Sequence, residues 1–152
     1  MQKLNFPSFP IKINKREEKD FVFDIIRKKY VLLTPEEWVR QHVVNFLIQY
    51  KGYARSLMKV ESGHHYNTLQ KRTDVLVYRS GENPEPLLLV ECKSADQKLN
   101  EAVLRQVSVY NQQIKAPYLV ATNGLEVYCW KVDFEEGSYY FLEDIPEAGE
   151  VL

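Results

Sequence analysis

The run LLLVECK at positions 87–93 limits what this chain can fold into more than any other stretch. An unbroken Leu/Val run leads directly into Glu91, Cys92 and Lys93. A continuous aliphatic run of this length reads as a central strand covered on both faces. Side chains alternate along a strand, so Glu91 and Lys93 share one face and Cys92 points to the other. A carboxylate and an ammonium side by side at the edge of a core are costly unless they pair or bind something. The segment is therefore a site or an unusually placed ion pair.

The chain has 152 residues, enough for one domain with a sizeable core. Hydrophobic residues at 45% and charged residues at 27% are the balance of a globular protein. A net charge of −1 removes any global basic signature of nucleic-acid binding and leaves a local basic groove open. Cys92 and Cys129 sit inside apolar strand-like runs, which reads as two reduced core thiols in a cytoplasmic protein. The N-terminal segment has no apolar signal region and no stretch approaches membrane-spanning length. The expectation is a soluble, cytoplasmic chain with no membrane partner.

Residues 9–14 and 20–26 are apolar-rich and flank the charged KREEKD, which predicts a hairpin-like N-terminal pair. A helix begins at TPEEWVRQ, with Thr34 as N-cap, Pro35 at the first helical position and Glu37 where a capping-box acid belongs. Val39, Val43, Phe46, Leu47 and Tyr50 form its apolar stripe, and Gly52 is its stop. Residues 57–61 predict a short strand, and TDVLVYR at 73–79 a stronger one closed by the turn-rich SGENPEP. LLLVECK is the hairpin partner of the latter. A second amphipathic helix spans 99–115, with Leu99, Val103, Val107, Tyr110 and Ile114 on one face. YLVAT at 118–122 is a buried strand, and Asn123-Gly124 turns it back into LEVYCWKV. The order hairpin, helix, three strands, helix, two strands predicts a mixed α/β sheet with a helix on each side. It divides the chain into an N-terminal extension (1–33), a core (34–132) and a C-terminal tail (133–152).

In a hairpin the start of the first strand lies beside the end of the second, so Asp74 can face Glu91, with Lys93 one step further. Two convergent carboxylates at a sheet edge make an oxygen-rich site suited to Mg²⁺ or Mn²⁺. A lysine beside such an ion can orient a water or neutralise charge developing on a phosphoryl group. The competing reading is a structural Asp–Lys or Glu–Lys pair, and a D…ExK match is short enough to recur by chance. Placement of both acids in strands expected to be buried favours the site. Gln106 and Tyr110, four residues apart, stack on the second helix, at the rim of its apolar stripe and within it. Taken singly, each reads as an ordinary helix residue, one solvated and one in the core.

Together these residues resemble the PD-(D/E)XK nuclease superfamily, in particular its Gln-x-x-x-Tyr branch, and within it the N-terminal nuclease domain of type I restriction R subunits. The resemblance runs from TPEEWVRQ through RTDVLVY, LLLVECKS and RQVSVYN to YLVATNGLEVY. It implies a restriction-endonuclease-like mixed β-sheet flanked by α-helices. It also implies that Asp74 and Glu91 ligate Mg²⁺ or Mn²⁺, with the Cys92 backbone carbonyl as a third ligand. Lys93 would then position or activate the attacking water, while Gln106 and Tyr110 support the site or contact the substrate backbone. An acid on the first helix belongs to the pattern, and Glu37 matches it, in even competition with its capping-box role. Thr73 stands where the family name has proline, and the helicase motor of R subunits has no counterpart in these 152 residues.

Three functions follow. The first is a Mg²⁺-dependent DNA endonuclease in a restriction-modification or DNA-processing context. The second is a nuclease-fold interaction module that is inactive alone or needs a partner. The third is a dimeric junction nuclease, since a twofold enzyme suits a twofold substrate. DNA is the expected partner, with a second copy or a larger motor or specificity subunit supplying the phosphate contacts that a near-neutral chain lacks. Truncating Asp74 or Glu91 is expected to relieve like-charge repulsion and leave stability unchanged or slightly raised. His64 and His65 read as a solvated loop pair, because adjacent side chains point apart. The basic run Arg27-Lys28-Lys29 reads as a solvated face.

Overall fold

Glu17 and Glu18 have φ of 51° and 66°, the left-handed pair that a two-residue hairpin turn requires. They join β1 (Ile13–Arg16) to β2 (Lys19–Asp24), which pairs antiparallel with β3 (Lys29–Leu32). The expected N-terminal pair is thus a three-stranded meander. KREEKD forms strand ends and a turn rather than a spacer. The third strand follows from Asp24, whose Oδ1 accepts from the amides of Ile26 and Arg27 at 2.7 and 2.9 Å and turns the chain back. The computed structural model describes residues 1–60 and 74–151; His64, His65, Thr73 and the end of the strand expected at 57–61 lie outside them.

Helix α1 (Pro35–Gln49) starts as its sequence predicts, with Thr34 Oγ1 accepting from the Glu37 amide at 3.0 Å. Val39, Val43, Val44 and Leu47 are buried, and each contributes roughly 1.5–3 kcal/mol of transfer free energy. Tyr50, expected in the stripe, is exposed, because it caps the helix instead of continuing it.

The main sheet holds six strands side by side in chain order: β4 (Met58–Val60), β5 (Val75–Arg79), β6 (Glu85–Cys92), β7 (Tyr118–Thr122), β8 (Val127–Asp133) and β9 (Ser138–Leu142). All neighbours are antiparallel except β6 and β7, which are parallel and connected through α2 (Glu101–Ile114). The central strand β6 is buried from Leu87 to Cys92. Its Leu88, Val90 and Cys92 pack with α1, and its Leu89 packs on the other face with Val107, Leu104 and Tyr110 of α2. That is a mixed sheet with one helix on each face, as the aliphatic run demanded.

The reading of two strands after α2 is one short, since β9 follows β8 through a turn in which Asp133 Oδ1 accepts from the amides of Glu135 and Glu136. The C-terminal α3 (Ala148–Val151) is stitched to the end of α1 by the Ala148 amide on the Lys51 carbonyl. Leu4 is buried over Gly124, whose φ of +87° strains any other residue and whose added Cβ would meet the Leu4 side chain at 2.7 Å.

Candidate active site

The β5–β6 register pairs Val75 with Val90, so one further step along the hairpin sets Asp74 across from Glu91. Asp74 and Glu91 are thus the next residues after the last β5–β6 pair, and the Asp74 carboxylate turns to Arg40 of α1 and to the Cys92 amide. Strand alternation puts Glu91 on the face that α2 covers and Cys92 on the α1 face. Lys93 is held from both ends. Its amide donates to the Thr122 carbonyl at 2.9 Å, prolonging the ladder with β7, and its Nζ lies 3.3 Å from Glu91 Oε2. Glu91 is buried and the Lys93 side chain is 20% exposed, so the ammonium reaches the surface beside its acid.

Asp74 is held by two partners. Its Oδ2 accepts from the Cys92 amide at 2.7 Å, and its Oδ1 is in contact with Arg40 Nη2. Sequence reasoning missed Arg40, which lies 5% exposed at the centre of a charge network. Its Nη1 donates to Glu37 Oε1 and its Nη2 to Glu36 Oε2, each at 2.8 Å. Glu37 Oε2 accepts from Arg27 Nη2 at 2.7 Å and from Gln41 Nε2 at 3.0 Å. Arg27 in turn donates from Nε to Asp24 Oδ2 at 2.7 Å, and Gln41 reaches the same oxygen at 3.0 Å. The chain of contacts runs from the turn after β2, across α1, to the mouth of the β5–β6 hairpin.

This network corrects two expectations. Arg27 is not part of a solvated face; its side chain is 9% exposed and bridges Asp24 to Glu37. Nor does Asp74 sit beside an unrelieved like charge. Truncating it would strip Arg40 of a partner and leave the Cys92 amide without its acceptor, which costs about 1–3 kcal/mol instead of stabilising the fold. The signal for Arg40 was present in PEEWVRQ, where acids stand three and four residues before an arginine. The same spacing marks an exposed helix pair, and only the arrival of Asp74 distinguishes the two.

Glu37 serves the cap through its amide, while its carboxylate is engaged by Arg27, Arg40 and Gln41. Gln106 is exposed on α2, and Tyr110 is half-buried against the core on the Glu91 face. Burial raises the Cys92 thiol well above its ordinary value, with the Asp74 charge adding to the effect, so the side chain stays protonated. Arg40 is held charged: burial works against its charge, and Asp74 and Glu37 outweigh it.

Among the described residues no group of three or more His, Cys, Asp or Glu side chains is arranged to hold a metal ion. Asp74 and Glu91 supply hard oxygen donors of the kind Mg²⁺ and Mn²⁺ take. Charge fits as well. Among the described residues, four carboxylates (Asp24, Glu36, Glu37, Asp74) share two guanidiniums (Arg27, Arg40), a surplus of two negative charges in that network beside the Glu91–Lys93 contact. The residues fit a dication in kind, on condition that Asp74 exchanges its contact with Arg40.

A mixed sheet with a helix on each face, an aspartate entering β5 and Glu-Cys-Lys leaving β6 define a restriction-endonuclease-like fold. Residues 35–146 match the family described as the type I restriction enzyme R protein N terminus (HSDR_N), and the chain belongs to that family. The fold is shared with a chain assigned to an HsdR subunit of a type I restriction enzyme from Vibrio vulnificus YJ016, solved as a fragment. The match has a TM-score of 0.50 at 18% identity and covers 78% of this chain and 24% of that one. This chain thus spans about a quarter of the length of the structure it matches. No curated protein matches it. The family makes the chain a restriction-related, nuclease-like module. Asp24 and Arg27 lie outside the matched range, yet they anchor Glu37 within it. No helix among the described residues is long and apolar enough to cross a membrane.

Proposed function

We propose that this chain is a Mg²⁺- or Mn²⁺-dependent DNA endonuclease module that hydrolyses phosphodiester bonds at the mouth of the β5–β6 hairpin. The observation that supports this reading is the hairpin register, whose last pair, Val75 with Val90, is followed on the two chains by Asp74 and Glu91, with Lys93 Nζ 3.3 Å from the Glu91 carboxylate. Asp74, Glu91 and the Cys92 carbonyl oxygen are the residues that would hold the ion, which when bound supplies Lewis acidity to the phosphate and acidifies the attacking water. Lys93 orients that water and neutralises charge on the phosphoryl oxygens. The attacking oxygen bonds to phosphorus as the P–O3′ bond breaks, leaving a 5′-phosphate and a 3′-hydroxyl. Tyr110, packed on the Glu91 face, and Gln106, exposed one turn earlier on α2, would contact the substrate backbone.

The net charge of −1 favours a partner-dependent module over a free-standing DNA binder, because phosphate contacts supply most of the affinity for duplex DNA. A motor or specificity subunit would supply those contacts and raise the local DNA concentration. The reading is tested by nicking of supercoiled plasmid in Mg²⁺, with and without an R-subunit motor, beside Lys93→Ala. Metal-dependent nicking that the variant loses supports it. Equal nicking by the variant refutes the assignment of Lys93, and no nicking under either condition refutes the nuclease reading and leaves a binding module.

A further inference from the structure

We infer that Arg40 is a positioning residue that occupies Asp74 in the metal-free protein and releases it when a divalent cation binds, while remaining tethered to Glu36 and Glu37. The inference rests on the metal-dependent reading of the site. Arg40 Nη2 is divided between Glu36 and Asp74, whereas Nη1 is committed to Glu37. Two of its three carboxylate contacts come from its own helix at i−4 and i−3, so α1 holds the guanidinium whether or not Asp74 is present. Only the Asp74 contact crosses to the hairpin. That contact is also the exchangeable one, because Asp74 keeps its orientation through the Cys92 amide on its other oxygen. Arg40 Nε is buried with no hydrogen-bond partner among the described residues, so the guanidinium is not fully satisfied in its present place. Among the described residues the network carries two surplus negative charges, which a dication would cancel with Arg40 still in place.

On this account Arg40 competes with the metal for Asp74. Removing it should tighten metal binding. A charge-assisted hydrogen bond of ordinary strength corresponds to about a tenfold to hundredfold change in affinity. The experiment measures Mn²⁺ binding to the DNA-free full chain by electron paramagnetic resonance of free Mn²⁺, for the wild type, Arg40→Gln and Arg40→Lys. Arg40→Gln should bind at least about tenfold more tightly. Arg40→Lys should fall between the two, since an ammonium keeps the charge and loses the fork. A second measurement needs no Arg40 variant. Nitrogen-15 spectra of the wild-type arginine side chains should show the Arg40 guanidinium signal moving as Mg²⁺ is added, and Asp74→Asn should abolish the movement. Wild-type Mn²⁺ binding with no gain in Arg40→Gln, or an Arg40 signal unmoved at saturating Mg²⁺, overturns the role of Arg40 and leaves the nuclease reading intact. Absence of metal binding in every protein overturns both.

Discussion

Replacing Glu37 by alanine tests whether the network around α1 is a structural anchor. The Glu37 carboxylate faces two guanidiniums, and the side chains of Arg27, Arg40 and Glu37 are 9%, 6% and 7% exposed. Taking the acid away removes one charge-assisted hydrogen bond from each cation, while Arg27 keeps Asp24 and Arg40 keeps Glu36 and Asp74. Two such bonds at about 1.5–3 kcal/mol each put the loss at roughly 3–5 kcal/mol. A domain of this size is stable by about 5–15 kcal/mol, so the loss is a large share of the total. With a urea dependence of roughly 2 kcal/mol per molar, the midpoint should fall by about 2 M. Glu36→Ala is the matched control. It removes a carboxylate that bonds the same Arg40, but the Glu36 side chain is 45% exposed, and an exposed pair is worth under about 1 kcal/mol. Urea unfolding followed by circular dichroism gives both values, and an unchanged slope would show that the native and denatured states are comparable. A Glu37→Ala midpoint within about 0.5 M of that of Glu36→Ala would refute the anchoring argument, because it would mean that the buried cations lose nothing they need.

Three further outcomes follow from the same geometry. Burial pushes Asp24 up, but the Arg27 amide, the Arg27 charge and Gln41 outweigh it and hold the carboxyl below its ordinary value of 3.8. Its stabilisation is therefore complete above that value and lost as pH falls through the lower folded one. Asp24→Asn should lower Tm at neutral pH and flatten the decline of Tm below about pH 4 in thermal melts. Asp74→Ala should lose about 1–3 kcal/mol in chemical denaturation, and a gain in stability would return the site to simple like-charge repulsion. Burial raises the Cys92 thiol and pushes Cys129 up to about 12, so neither should react with a thiol reagent until the protein unfolds. Titration with Ellman's reagent before and after denaturation checks this.

The central half of the fold was legible because its signals are local. An aliphatic run bounded by SGENPEP and ADQK, a Thr-Pro-Glu-Glu helix start and an Asn-Gly turn each specify their own element, and β5 to β8 with α1 and α2 follow. The edges were not legible. β3 is four residues long beside a basic run, and its pairing depends on Asp24 folding the chain back. β9 exposes Tyr139, Tyr140 and Phe141, so it lacks the alternation that would mark a half-buried strand. For the site, the hairpin makes Asp74 and Glu91 the residues that follow the last β5–β6 pair, and alternation joins Glu91 to Lys93. Arg27 and Arg40 become legible only in three dimensions, because each meets an acid from a different element.

The central claim is that Asp74, Glu91 and Lys93 cut DNA by water attack on phosphorus with loss of the 3′ oxygen. The direct measurement incubates supercoiled plasmid with the wild type or Asp74→Asn in Mg²⁺, beside an R-subunit motor, and then treats the product with DNA ligase alone. The account predicts metal-dependent nicks from the wild type, none above background from the variant, and resealing by ligase, since each nick carries a 5′-phosphate and a 3′-hydroxyl. Nicks that ligase cannot seal, or nicks made equally well by Asp74→Asn, would contradict it.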